Sequence, residues 1–145
     1  MPRLVAFFLF SLCGSFPALA VLHPAKIFSD HMVLQRDAAV PIWGKAGAGA
    51  TVTVAFAGQS VKAKADKQGR WKLKLDAMKA STEGRSLDIS SGDQRMLIKD
   101  VLVGDVWFAG GQSNMDYKVK GMALRLPEGK TLADGANYPA IRHRK

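Results

Sequence analysis

Cysteine and histidine are scarce in this chain. Cys13 is the only cysteine among 145 residues, so no disulfide can form within the chain and a disulfide-stapled fold is excluded. The three histidines do not have the spacing typical of zinc ligands. The Gly47 and Gly49 pair has the context of a turn between strands and is not a dinucleotide-binding fingerprint. We therefore expect no metal site and no bound cofactor.

Acidic residues are also few: the chain has 12 Asp and Glu against 21 Lys and Arg, which gives a net charge of +9. A basic chain of this kind can bind nucleic acid, but no nucleic-acid-binding motif accompanies the charge. Many of the lysines alternate with apolar residues, as in Val61–Ala65 and Trp71–Leu75. This alternation is typical of the solvated face of amphipathic strands. We expect no nucleic-acid partner.

The first twenty residues differ from the rest. Leu4 to Cys13 form an apolar stretch behind Arg3, too short to span a bilayer comfortably. Ala18 to Ala20 give the small-x-small pattern of a cleavage site. We interpret residues 1–20 as a secretory signal peptide that is cut after Ala20, with a membrane anchor as the less favoured alternative. This predicts a secreted or periplasmic protein that has no cysteine and no membrane contact after cleavage.

Between residues 28 and 102 the apolar positions follow a period of two, with turn residues between short runs. This pattern predicts a mainly β fold, with an antiparallel β-sandwich over residues 21–103. We interpret Trp43 and Trp71 as core anchors and not as sugar-stacking platforms. The predicted core comprises Trp43, Val52, Val54, Phe56, Trp71, Leu73, Leu87 and Ile89. Turns are predicted at Gly58–Gln59, Asp66–Gly69 and Ser91–Asp93, with a looser loop over Met78–Gly84.

From Asp105 the pattern becomes continuously apolar, which predicts a strand over Asp105–Ala109 that is buried on both faces. We place a domain boundary near residues 103 and 104, so that residues 104–145 begin an α/β domain. Gly110 and Gly111 permit a sharp turn, and Ser113 follows at the end of the strand where such sheets bind ligands. Ser113 is either a nucleophile with backbone N–H groups nearby for an oxyanion or the cap of a following helix. Residue type and position alone favour the cap.

Four segments together resemble the N-terminal portion of the sialate O-acetylesterase family, a branch of the SGNH-type serine ester hydrolases. The similarity runs from about Ile27 to Tyr117 in the family's order and spacing. Asp116 and Tyr117 stand where the family more often has Glu and Trp, and both keep the residue's character. The segments are Ile27–Arg36 (IFSDHMVLQR), Val40–Gly44 (VPIWG), Val101–Asp105 (VLVGD) and Gly111–Met115 (GQSNM).

The resemblance implies a β-sandwich followed by an α/β hydrolase domain that begins near residue 104. It implies that Ser113 is the nucleophile and that Gln112 and Asn114 help to position the substrate or its oxyanion. The implied substrate is an O-acetylated sugar, chiefly sialic acid. The family's catalytic histidine, the acid that orients it and two further oxyanion donors belong to downstream blocks that are not among these 145 residues.

None of the three histidines is a strong candidate for the missing base. His23 adjoins the expected cleavage site, His143 has no acid nearby in sequence, and His31 is interpreted as a turn or interdomain residue. His143, Arg144 and Lys145 stand where the family has an apolar strand, and a central strand cannot bury three such residues without partners. We therefore expect a truncated or frame-disrupted chain with little esterase activity. The alternative is a non-catalytic β-sandwich module for binding or support. The oligomeric state is left open.

Overall fold

The computed structural model describes residues 21–112, 121, 123, 125–126 and 128–143. Strands dominate these residues, and a short helix lies near the end of the chain. Among the described residues no helix is long and apolar enough to cross a membrane. The elements are β1 (His23–Pro24), β2 (Val33–Gln35), β3 (Val40–Lys45), β4 (Thr51–Phe56), β5 (Gln59–Lys64), β6 (Arg70–Leu75), β7 (Ser81–Ser91), β8 (Gln94–Gly104) and α1 (Gly129–Gly135).

The strands form two sheets. The three-stranded sheet has the order β1-β3-β6, and the five-stranded sheet has the order β2-β8-β7-β4-β5. The prediction of a mainly β fold is therefore confirmed. One detail was wrong: β2 pairs with β8 in parallel, whereas the other pairs are antiparallel. A parallel pair needs a long connection, and here the intervening strands of the sandwich supply it.

Alternate side chains of the strands fill the space between the sheets. Along β6, for example, Trp71, Leu73 and Leu75 are buried while the lysines between them are exposed. Each large apolar side chain buried in this way stabilises the fold by roughly 1.5–3 kcal/mol. Seven of the eight predicted core residues are confirmed: Val52, Val54, Phe56, Trp71, Leu73, Leu87 and Ile89.

Trp43 was wrongly predicted to be a core residue. Its side chain is 38% exposed, because Val40 and Ile42 take the inward positions of β3 and the alternation turns Trp43 outward. The ring packs edge-on against Phe28, with centroids 4.9 Å apart and planes at 77°. Trp43 therefore lies on the outer surface of the three-stranded sheet.

Two of the predicted turns are confirmed and one is shifted. The Asp66 carboxylate accepts the backbone N–H groups of Gln68 and Arg70, which closes the β5–β6 connection. Gly92, with φ of 55°, turns β7 into β8. The β4–β5 turn is formed by Ala57 and Gly58, one residue earlier than predicted. Both have positive φ, as the tight turn of a two-residue hairpin requires.

The loop predicted over Met78–Gly84 is shorter than expected, because β7 already begins at Ser81. Ser81 pairs with Val103 and Arg85 with Val101, and the register shifts between these pairs. Irregular pairing of this kind lets a polar segment, whose side chains do not alternate between apolar and polar, still pair with a neighbouring strand.

The strand predicted over Asp105–Ala109 is absent. Residues 105–111 have no regular secondary structure, and the side chains of Trp107 and Phe108 are 87% and 99% exposed. An apolar run forms a strand only where neighbouring backbone accepts and donates its hydrogen bonds, and among the described residues no strand pairs with this segment.

Candidate functional site

The end of β8 leads into the predicted nucleophile segment, and β2 holds it in place. Val33 is opposite Leu102, and the pairing continues to the end of both strands. Just beyond β2, the Arg36 N–H donates to the Gly104 carbonyl at 2.9 Å. Two segments that the sequence marked out separately, 27–36 and 101–105, are therefore neighbours in space.

Side chains continue this attachment past the end of β8. The Gln35 Oε1 accepts the Val106 N–H at 3.0 Å, and the Arg36 Nε donates to the Asp105 Oδ1 at 2.9 Å. The hydrogen bond to Asp105 raises the pKa of Arg36 above its usual value. Both side chains of this ion pair are exposed, so it orients the segment more than it stabilises the fold.

The structure shows the approach to the predicted nucleophile but not the nucleophile itself. Gln112 is exposed at the end of the described stretch. Ser113 and Asn114 lie outside the described residues. Their roles as nucleophile and positioning group stay predictions.

A separate cluster of polar groups surrounds His31, next to β8 of the five-stranded sheet. The His31 Nδ1 lies 2.6 Å from the Asp100 Oδ2, and the His31 N–H donates to the Lys99 carbonyl at 3.0 Å. The Asp30 carboxylate accepts the Lys99 N–H at 2.7 Å. His31 has φ of 63° and lies in a turn, which agrees with the interpretation of it as a turn residue.

Arg142 joins this cluster from the end of the chain. Its guanidinium donates to both carboxylate oxygens of Asp100, at 2.6 and 3.2 Å, and to the Asp100 carbonyl at 2.9 Å. The hydrogen bonds from Arg142 and then from His31 hold the pKa of Asp100 below its usual value. A carboxylate bound to Nδ1 is the arrangement that orients the imidazole of a general base.

Known proteins resemble this chain over most of its length. No family model matches it. The sialate O-acetylesterases of Rattus norvegicus and Homo sapiens are 33% and 37% identical over 128 and 131 residues, which is 81% of this chain. The crystal structure of a carbohydrate acetylesterase from Xanthomonas citri covers 80% of the chain at 35% identity, with a TM-score of 0.69.

Over the part that it matches, the chain belongs to the sialate O-acetylesterase family. It spans only about a quarter of the length of these relatives: 23% and 24% of the two curated sialate O-acetylesterases and 26% of the bacterial structure. The resemblance seen in the sequence is thereby confirmed.

Within this member of the sialate O-acetylesterase family, the pairing of His31 with Asp100 could not be found from the sequence. The two residues are 69 positions apart, and no local spacing marks them as partners. His23 is exposed on β1, and His143 is exposed at the end of the described chain. Among the described residues no group of three or more His, Cys, Asp or Glu side chains is placed to hold a metal ion.

Proposed function

We propose that this chain is the part of a sialate O-acetylesterase-like carboxylic ester hydrolase that carries its serine nucleophile, Ser113. The observation that supports this most is the similarity to sialate O-acetylesterases over 81% of the chain. The attachment of β2 to the end of β8 adds to it, because this contact directs residues 105–112 away from the sandwich core. The proposed substrate is an O-acetylated sugar, with sialic acid as the first candidate.

In the proposed reaction, the Ser113 Oγ attacks the acetyl carbonyl carbon, and the sugar oxygen leaves with a proton. Water then hydrolyses the acetyl-serine ester and releases acetate. Gln112 and Asn114 would position the carbonyl oxygen while it carries negative charge. The serine hydroxyl needs a base to accept its proton, and the family's base lies in a block that these 145 residues do not include.

A chimaera tests the role of Ser113 directly. Residues 27–143 would replace the matching segment of the Xanthomonas citri carbohydrate acetylesterase, whose remaining chain supplies the other blocks. We expect the chimaera to hydrolyse p-nitrophenyl acetate and an O-acetylated sialic acid. Ser113→Ala in the chimaera should lower kcat by about a thousandfold or more, as loss of a serine nucleophile does.

Ser60→Ala is the matched control for the chimaera, because Ser60 is exposed on β5. It should leave kcat unchanged. A folded chimaera whose activity is the same with Ser113→Ala would contradict the nucleophile assignment. The 145-residue chain by itself should hydrolyse both substrates at the background rate, with and without Ser113→Ala.

A non-catalytic support module is the second candidate function. The sandwich completes its own core within residues 22–103, and Arg142 ties a later segment back to Asp100. A sandwich that anchors its neighbouring segment in this way can serve as a scaffold without chemistry of its own. Inactive but folded chimaeras would favour this candidate.

We also propose that residues 1–20 are a secretory signal and that the mature protein is secreted or periplasmic. The support comes from the sequence: a short apolar stretch behind Arg3 and a small-x-small pattern that ends at Ala20. Expression of the chain in a bacterial host, followed by N-terminal sequencing of the periplasmic fraction, should find Val21 as the first residue. Membrane-bound chain that keeps residues 1–20 would support an anchor instead.

A further inference from the structure

The outer surface of the three-stranded sheet contains a groove of about 920 Å³. It lies across β1, β3 and β6, on the other sheet from β8 and the segment that leads to Ser113. We call it the Trp43 groove and define it by His23, Pro24, Trp43, Lys45, Arg70 and Lys72.

An aromatic surface forms the middle of the Trp43 groove. Trp43 is 38% exposed, and its contact with Phe28 fixes the orientation of the indole before any ligand arrives. Gly44 lets β1 lie close to β3 at the end of the groove, because a Cβ at this position would lie 2.3 Å from the His23 carbonyl oxygen. An exposed, fixed indole is suited to stacking against the apolar face of a sugar ring.

Positive charge surrounds this aromatic surface. Lys72 is directly opposite Trp43 in the sheet, and Arg70 is opposite Lys45. Arg70 binds the Asp66 carboxylate at 2.9 Å, whereas Lys45 and Lys72 have no ion pair among the described residues. Two exposed ammonium groups therefore flank the indole, and their potential favours a ligand with negative charge.

We propose that the Trp43 groove binds a sugar that carries a carboxylate, with the ring stacked on Trp43 and the carboxylate paired with Lys45 and Lys72. The groove would hold the glycan separately from the segment of Ser113. A nucleic acid is the less favoured occupant, because the groove offers one exposed aromatic ring and not a row of them.

The three tryptophans provide the readout. In a ¹H–¹⁵N NMR titration of the full chain, the methyl α-glycoside of N-acetylneuraminic acid should shift the indole N–H signal of Trp43 far more than that of Trp71, whose side chain is buried between the sheets. The signal of Trp107, which is exposed but outside the groove, should stay in place. The methyl ester of the same glycoside lacks the charge but keeps the shape, and it should bind at least threefold more weakly.

Variants separate the contribution of ring stacking to binding affinity from that of charge. Trp43→Ala should weaken binding of the acid by about tenfold or more, which the backbone N–H signal of Lys72, the residue opposite position 43, reports. Lys72→Gln should weaken binding of the acid by about threefold and leave binding of the ester unchanged. Lys64→Gln is the matched control, because Lys64 is an exposed lysine on β5 in the other sheet, and it should change neither.

Each other outcome overturns the proposal. These outcomes are no shift of the Trp43 indole signal, an equal shift of Trp107, equal affinity for acid and ester, and equal effects of Lys72→Gln and Lys64→Gln. If Trp43→Ala disturbs the fold, as the dispersion of the remaining signals would show, the two lysine variants decide. The choice of sialic acid as probe rests on the proposed function, but the readout is binding alone. An inactive Ser113 therefore leaves this proposal intact, and a failed titration leaves the esterase proposal intact.

Discussion

Two segments of similar apolar character behave in opposite ways. Val40 to Trp43 pair with β6 along their whole length, and on the other side the Ala25 N–H donates to the Trp43 carbonyl. Val106 to Phe108 are equally apolar but form no strand, and both aromatic rings are exposed. Apolar character decides what a strand can bury, but a strand also needs neighbouring backbone to pair with. The sandwich supplies this backbone for the first segment and not for the second.

Hydrogen exchange should show the largest difference between the two regions. The amides of Val101 to Val103 lie in the buried part of β8 and should exchange only through global unfolding. Those of Trp107 to Gly110 have no strand partner in the described part of the chain and should exchange at the rate of an open chain. We expect the rates to differ by at least about a thousandfold, because a folded domain is stable by at least 5 kcal/mol. Slow exchange at Trp107 would show a partner for this segment.

A pair of tryptophan variants compares how much the sandwich core and the exposed segment contribute to the free energy of unfolding. Trp71→Ala should lower the free energy of unfolding by about 3–5 kcal/mol, because it removes a large side chain from the core. Trp107→Ala should change it by less than about 0.5 kcal/mol. Denaturant unfolding measures both. A loss below 1 kcal/mol for Trp71→Ala would mean that this residue is not packed in the core.

A glycine variant tests how tightly β1 packs against β3. At Gly44 an added Cβ would lie 2.6 Å from the Pro24 Cα, so β1 must move away. We expect Gly44→Ala to cost about 1–3 kcal/mol of stability, as overpacking does. Gly135→Ala is the control at the end of α1, where an added Cβ meets nothing within 4 Å. Equal effects of the two changes on thermal unfolding would contradict the packing of β1.

The smallest expected effect concerns Asp100, which binds Arg142 and His31 beside β8. Asp100 has a lowered pKa in the folded state, so its contribution to stability is present above its unfolded pKa of about 3.9 and is lost as the pH falls through the lower folded value. Asp100→Asn should therefore lower the melting temperature slightly at pH 7, and the difference should vanish towards about pH 2. Asn tolerates the positive φ of this position, so the change tests the charge and not the backbone.

Asp93→Asn, in the exposed turn between β7 and β8, is the control for Asp100→Asn and should show no such pH dependence. A difference between wild type and Asp100→Asn that grows as the pH falls would contradict the assignment of the charge to Arg142 and His31.

The sandwich could be predicted because period-two burial is a local property. Val52, Val54 and Phe56 alternate with polar or small neighbours, so the inward face of β4 is evident from the sequence alone. In β3 both alternate sets are apolar, so the pattern does not decide whether Ile42 or Trp43 turns inward. Only packing against the second sheet decides it.

The remaining errors arise from contacts between distant residues. The polar start of β7 lacks alternation, and only its pairing with Val101 and Val103 makes it a strand. His31 and Asp100 meet through the fold and not through any spacing along the chain. The candidate nucleophile, Ser113, was identified from the family motif around it and stays a prediction.

The parallel pairing of β2 with β8 has a consequence for the order of folding during synthesis. β1 can pair with β3 as soon as residue 45 is made, whereas the partner of Val33 is Leu102, some 69 residues further along. At a ribosomal rate of about 5–20 residues per second, this edge of the sandwich waits roughly 3–14 s before its partner exists. During this interval Val33 and Leu34 have no strand to cover them, so this unpaired edge can bind another chain unless a chaperone shields it.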